Sequence, residues 1–117
     1  STLTCHPKYI NRAIDYVDAH LTEPLSLTDL ATAAGVHSRT LSNGFKKYYN
    51  ISPMAYVKQK RLEKTRLLLL EADPINTNVT DIATQYNFLH LGRFAQDYFN
   101  LFHEFPSETL REKEMES

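Results

Sequence analysis

Leu27-Thr28-Asp29-Leu30-Ala31-Thr32 returns 52 residues later as Val79-Thr80-Asp81-Ile82-Ala83-Thr84. The match extends beyond both ends of the hexamer: Ser26 aligns with Asn78, Gly35 with Asn87 and Val36 with Phe88. After one inserted residue the offset becomes 53, pairing Leu41 with Phe94, Phe45 with Tyr98, Tyr49 with Phe102 and Pro53 with Pro106. Each copy reads as a capped short helix, a turn at a residue that tolerates positive φ, and a longer helix, which is the pattern of a helix-turn-helix unit. Cap, small residue, turn and core positions all recur together, so chance likeness within a plain helical bundle is the weaker reading.

The rest of the chain is legible outward from this repeat. Glycine is scarce and strand-like alternation is absent, so the chain reads as all-α, with about seven helices. A first helix follows Pro7, with Ile10, Ala13, Ile14, Val17 and Leu21 at helical spacing, and Pro24 is expected to end it. Ser26 offers an N-cap with Asp29 three residues on, near to a capping box, and the short helix to Ala34 stops at Gly35. The next helix runs from about Ser38 to Tyr49, closed by Asn50 in a left-handed conformation. Ser52-Pro53 opens a long helix to about Glu71, broken before Asp73-Pro74. Asn78 caps a short helix to Gln85 or Tyr86, another runs from about His90 to Phe102, and Pro106-Ser107 opens the last. Residues 1–52 thus form a first helix-turn-helix subdomain, 53–72 a linker helix, 73–111 a second subdomain, and 112–117 a charged tail expected to fray.

Composition bounds the function. The 117 residues, 42% hydrophobic and 23% charged, fit an ordinary globular chain with a modest core. The longest uninterrupted apolar run, Leu67 to Leu70, is far short of a membrane span, and no secretory pattern opens the sequence. The single cysteine, Cys5, excludes an internal disulfide framework and fits a reducing cytosol. The formal charge of −1 argues at first against a nucleic-acid partner. Its distribution reverses that inference. Residues 37–66 hold Arg39, Lys46, Lys47, Lys58, Lys60, Arg61, Lys64 and Arg66 against Glu63 alone, while the segments 1–36, 67–102 and 103–117 are each net acidic. A basic block of this kind is the footprint of a polyanion, or else a solvated, salt-bridged helix face.

Several stretches resemble the DNA-binding domain of the AraC/XylS family. Leu25 to Ala31, Ser38-Arg39-Thr40-Leu41 with Phe45-Lys46-Lys47, and Ile51 to Val57 are similar to its first half. Asn87-Phe88-Leu89-His90-Leu91-Gly92-Arg93-Phe94-Ala95-Gln96-Asp97-Tyr98 and Pro106 to Arg111 are similar to its second half, where the family signature is strongest. The resemblance covers residues 8–111 and implies a transcription regulator with two helix-turn-helix units. The run His90 to Phe94 is similar to the XylS-like branch, several of whose members sense aromatic acids. The family often has basic residues at the positions of Phe99 and Asn100, and commonly glycine at those of Asn50, Asn87 and His103; the missing cations put phosphate anchoring by the second unit in doubt.

Helical geometry gives the candidate reading faces independently. At 100° per residue, Leu41, Phe45, Tyr48 and Tyr49 share one side, and Arg39, Asn43, Lys46 and Lys47 fall opposite, with Thr40 and Ser42 at the flanks. The start of the second helix of such a unit reaches base edges in the major groove. Arg39 then suits guanine O6 and N7, Asn43 suits adenine N6 and N7, and Thr40 and Ser42 are further base contacts. Lys46 and Lys47, with Ser38, Lys58, Lys60, Arg61 and His90, are expected at phosphates, which position without specifying; plain surface charge is the competing reading for each lysine. In the second unit, Phe94, Leu91, Tyr98, Leu101 and Phe102 are expected to form the core stripe, and Gly92, Arg93, Gln96, Phe99 and Asn100 to face away, with Gly92, Arg93 and Gln96 as base-reading candidates. Gly92 fits either close backbone approach to DNA or close helix packing. Phe99 fits a thymine-methyl contact, a protein contact or packing on the tail. The long helix is expected to bury Tyr56, Val57, Leu62, Leu68 and Leu69 and to hold both reading helices about one duplex turn apart, ~34 Å.

Other classes find less support. The sequence contains no glycine-rich phosphate loop, no nucleophile elbow and no Cys/His cluster at metal spacing, so neither catalysis nor a cofactor or metal is expected. The five histidines, 6, 20, 37, 90 and 103, are scattered. A helical protein-interaction module is the remaining competitor, and it leaves the basic block unexplained. The expected partners are therefore double-stranded DNA in the cytoplasm, RNA polymerase against the acidic second half, and an N-terminal effector or dimerisation domain outside this sequence.

Overall fold

A computed structural model describes residues 6–115, with side chains through Arg111; Cys5 and the end of the charged tail, Glu116 and Ser117, lie outside these bounds. Seven helices follow one another: α1 (Lys8–Ala19), α2 (Leu27–Ala34), α3 (Ser38–Tyr49), α4 (Pro53–Glu71), α5 (Val79–Gln85), α6 (Leu91–Phe102) and α7 (Pro106–Met115). No strand occurs among the described residues. Two compact units divide within α4, at residues 1–59 and 60–117.

The repeat seen in the sequence is reproduced bond by bond. Ser26 and Asp29 form the capping box at α2: the Asp29 N–H donates to Ser26 Oγ at 3.1 Å and the Ser26 N–H to Asp29 Oδ2 at 3.0 Å. At α5 the Asp81 N–H donates to Asn78 Oδ1 at 2.8 Å, while Asn78 Nδ2 donates back to Asp81 Oδ2 at 3.0 Å. After α2 the N–H groups of Gly35 and Val36 donate to the carbonyls of Thr32 and Ala31; after α5 those of Asn87 and Phe88 donate to Thr84 and Ala83. Gly35 sits at φ 75° and Asn87 at 66°, the left-handed conformation each turn requires. Asn50 (φ 61°) and His103 (φ 62°) close α3 and α6 in the same way, so the absent glycines leave the turn geometry unchanged.

In the first unit, α1 packs on α2 and α3, burying Ile10, Ala13, Val17, Leu30, Ala31, Ala34, Leu41 and Phe45. Phe45 meets Tyr56 of α4 at 5.3 Å between ring centroids, with Val57 buried nearby in sequence. The close approach of α3 to α1 rests on Gly44, since a Cβ there would lie 2.5 Å from Tyr9 Oη and 2.9 Å from Ile10 Cδ1. In the second unit Leu62, Leu69, Ile82, Ala83, Phe94, Tyr98 and Leu110 form the core cluster, with Leu68, Phe88 and Phe102 packed against it.

Four expectations are corrected. α1 ends at Ala19, not at Pro24, because the chain turns at His20, where the Glu23 N–H donates to the His20 carbonyl and His20 Nδ1 meets Glu23 Oε2 at 2.9 Å. Leu21 is still buried, but from the turn. Leu91 and Leu101, assigned to the core stripe of α6, are 42% and 38% exposed. Phe88 from the preceding turn fills the place beside Phe94 (4.6 Å between centroids), and Phe102 stacks edge-on to Tyr98 at the other end (4.7 Å), leaving both leucines outside. Finally, α7 continues to Met115, so the backbone of residues 112–115 is helical where fraying was expected.

Candidate nucleic-acid interface

The outward face of α3 is set by its inward one. Leu41, Gly44 and Phe45 are buried, which turns Arg39, Thr40, Asn43, Lys46 and Lys47 to solvent, with Ser38 and Ser42 half-buried at the edges. Arg39, Asn43 and Lys46 follow at helical spacing, and Lys47 Nζ lies 5.3 Å from the Tyr48 ring centroid. The two basic side chains near the C-terminal end of α3 also complement its dipole. Tyr48 and Tyr49 are half-buried, and both rings contact the His6 ring, at 5.0 and 5.1 Å. Burial pushes the Tyr49 phenol up from its ordinary pKa.

In the second unit α6 buries Phe94 and Tyr98 and exposes Gly92, Arg93, Gln96, Phe99 and Asn100. His90 is exposed at its N-cap and makes no side-chain cap bond. Phe99 stacks on Phe105 at 4.7 Å, so of its three readings, packing within the protein is the one the geometry shows, although the partner is Phe105 and not the tail. A Cβ at Gly92 would meet nothing within 4 Å, which removes close helix packing as its reason.

The cations of α4 divide by environment. Lys58 and Lys64 are exposed, and Lys60 is half-buried, 3.7 Å from Glu63. Arg61 is half-buried, and desolvation lowers its pKa. Arg66 turns inward: Nη1 donates to Glu104 Oε2 at 3.3 Å, and its guanidinium lies 4.9 Å from the Phe102 ring centroid. Glu104 also accepts from the Thr109 hydroxyl, which in turn accepts from Tyr98 at 2.8 Å. Sequence reasoning placed Arg66 in the basic block and missed this network, whose members Arg66, Tyr98, Glu104 and Thr109 share no spacing that would reveal it.

Among the described residues no group of three or more His, Cys, Asp or Glu side chains could hold a metal ion, and no helix is long and apolar enough to cross a membrane. The arrangement therefore offers two outward helix faces, a cationic one on α3 and a mixed apolar and amide one on α6.

Comparison with known proteins agrees with this geometry. A helix-turn-helix domain family matches residues 30–112. The chain is 42% identical over 105 residues to the "Probable thc operon regulatory protein" of Rhodococcus erythropolis, covering 90% of this chain and 32% of that one. It is 38% identical over 101 residues to the "XylDLEGF operon transcriptional activator" of Pseudomonas putida, covering 86% and 32%. The chain thus spans about a third of the length of these curated relatives. Among solved structures, that of a probable AraC family transcriptional regulator from Rhodopseudomonas palustris is similar with a TM-score of 0.82 at 32% identity, covering 92% of this chain and 98% of that one.

Proposed function

Because the chain belongs to the AraC/XylS family of helix-turn-helix domains, we propose that it binds double-stranded DNA sequence-specifically, as the DNA-binding part of a bacterial transcription regulator, with α3 and α6 in successive major grooves. The observation that carries this reading is the outward face of α3, where Arg39, Thr40, Asn43, Lys46 and Lys47 are all exposed above a buried Leu41, Gly44 and Phe45. Arg39 reads guanine and Asn43 adenine, with Thr40 and Ser42 beside them; Gly92, Arg93 and Gln96 form the second reading face. Ser38, Lys46, Lys47, Lys58, Lys60, Arg61 and His90 meet phosphates. The subdomains are those of residues 1–52 and 73–111, joined by the linker helix 53–72. The name of the Pseudomonas putida relative supports activation of transcription. An activator must touch RNA polymerase, for which the acidic second half is the natural surface. The length of the relatives supports a further effector or dimerisation domain in the whole protein, and binding to bacterial DNA implies work in the cytoplasm.

Selection of bound sites from random duplex DNA, followed by salt titration on the selected site, tests the proposal. The expected site is non-palindromic, with two unlike halves about ten base pairs apart. Log K is expected to fall with log salt by about 0.9 per neutralised phosphate. A flat salt dependence would favour a protein-binding helical module. A footprint confined to one groove, or an obligate palindrome, would overturn the two-helix reading.

A further inference from the structure

The solvent face of α6 differs in kind from that of α3. Gly92, Gln96 and Asn100 follow one another along it at intervals of four residues, and Arg93 alone of the exposed candidates there is cationic. Glycine in a helix is disfavoured relative to alanine. At Gly44 that cost answers to Tyr9 and Ile10; at Gly92 nothing within its own unit lies within 4 Å of an added methyl. The bare backbone there lines an open depression together with Leu89, His90, Leu91 and Arg93. Leu89 is 80% and Leu91 42% exposed, and these two give the depression its apolar side chains beside the polar His90 and Arg93. One turn along, Gln96 Nε2 donates to Asn100 Oδ1 at 3.0 Å. This bond fixes the amide and leaves Oε1 and the second Nε2 hydrogen, the acceptor and donor that adenine N6–H and N7 require.

We propose that α6 reads an A·T-containing step, with Gln96 on adenine and a thymine 5-methyl group seated over Gly92 against Leu89 and Leu91. The inference rests on the DNA-binding reading above and adds the base chemistry of the second half-site. A backbone without Cβ flanked by Leu89 and Leu91 leaves room for a methyl group, with His90 and Arg93 at the same depression to meet polar groups beside it. The amide supplies the polar half of the same base pair or its neighbour.

Deoxyuridine lacks the thymine methyl and keeps every hydrogen-bonding group, so it isolates the contact. On sites selected from random duplex DNA, the α6 half is the one that Arg39→Ala leaves unrelaxed. Replacing its thymines singly by deoxyuridine is expected to weaken binding about fourfold at one position, the equivalent of one buried methyl group. Gly92→Ala is expected to weaken binding to thymine DNA while leaving the fold intact, and to weaken it less on the deoxyuridine duplex, where the protein methyl occupies the vacated space. Equal binding to thymine and deoxyuridine throughout that half, a half-site of G·C pairs alone, or a Gly92→Ala penalty identical on both duplexes would overturn the inference while DNA binding itself stands. Absence of any salt-sensitive DNA binding would overturn the underlying reading as well.

Discussion

Tyr98 on α6 donates a hydrogen bond of 2.8 Å to the Thr109 hydroxyl on α7, and neither residue is reached by solvent. The Thr109 hydroxyl donates in turn to Glu104, which also accepts from Arg66. A chain of polar groups thus crosses an otherwise apolar core beneath the second outward face. Its first two members respond differently to truncation. Tyr98→Phe removes a donor and leaves the Thr109 hydroxyl bonded to Glu104, so the expected cost is about 1 kcal/mol. Thr109→Val leaves the buried Tyr98 hydroxyl without its acceptor, and the expected cost rises to about 2–3 kcal/mol. Urea unfolding of the two variants checks the order; equal losses would mean that the bond contributes only through its geometry.

The same phenol gives the second unit a pH dependence. Burial pushes the Tyr98 pKa up, with Glu104 adding to the shift and Thr109 and Arg66 opposing it. A proton held more tightly in the folded than in the unfolded state stabilises the fold below the unfolded pKa, and that contribution is lost as pH rises through the folded value. Stability is therefore expected to fall above pH ~10. Tyr49 shifts in the same direction by burial, so Tyr98→Phe should remove part of the alkaline slope and not all of it. Denaturant midpoints of the wild type and Tyr98→Phe between neutral and alkaline pH provide the comparison.

Gly44→Ala and Gly92→Ala are the same chemical change with opposite expected signs. A methyl at Gly44 lies 2.5 Å from Tyr9 Oη and 2.9 Å from Ile10 Cδ1, and Ile10 is fully buried, so these side chains or the helix that carries them must shift. Overpacking of this kind costs about 1–3 kcal/mol, more than the helix propensity returns. At Gly92 the methyl enters open space, and α6 gains part of the ~1 kcal/mol that the same change returns in a helix interior, since Gly92 lies in its first turn. Thermal melts should move down for the first variant and up for the second.

These contrasts also mark how far the sequence could be read. The capping box at Ser26 and Asp29, the left-handed turns at Asn50 and Asn87 and the bounds of α2, α3 and α4 depend on residues close in sequence, and local rules place them. The outward face of α3 was legible for the same reason, since Leu41 and Phe45 define its inside. Leu91 and Leu101 were misplaced because the core beside α6 is filled by Phe88 and Phe102, one from outside the helix and one at its last residue, and a helical projection does not show where a core ends. The role of Arg66 depends on Glu104, 38 residues away, a partner that no spacing rule selects. Gly44 and Gly92 read alike in the sequence; only the positions of Tyr9 and Ile10 separate them.

Arg66 and Lys46 belong to one basic block in the sequence and to two different roles in the structure. Arg66 is held by Glu104 and covered by Phe102, whereas Lys46 stands exposed on α3 below Asn43. Counterion release counts cations that reach phosphates and ignores those neutralised within the protein. Lys46→Ala is accordingly expected to weaken binding to all sequences alike and to flatten the slope of log K against log salt by about 0.9. Arg66→Met, which keeps an unbranched apolar stem over Phe102, is expected to lower stability and leave that slope unchanged. Arg39→Ala should instead cost about 1–3 kcal/mol on the selected site and relax a single base position. Salt titrations of the three variants on one duplex separate the outcomes, and a slope that fell for Arg66→Met as it does for Lys46→Ala would return Arg66 to the DNA face.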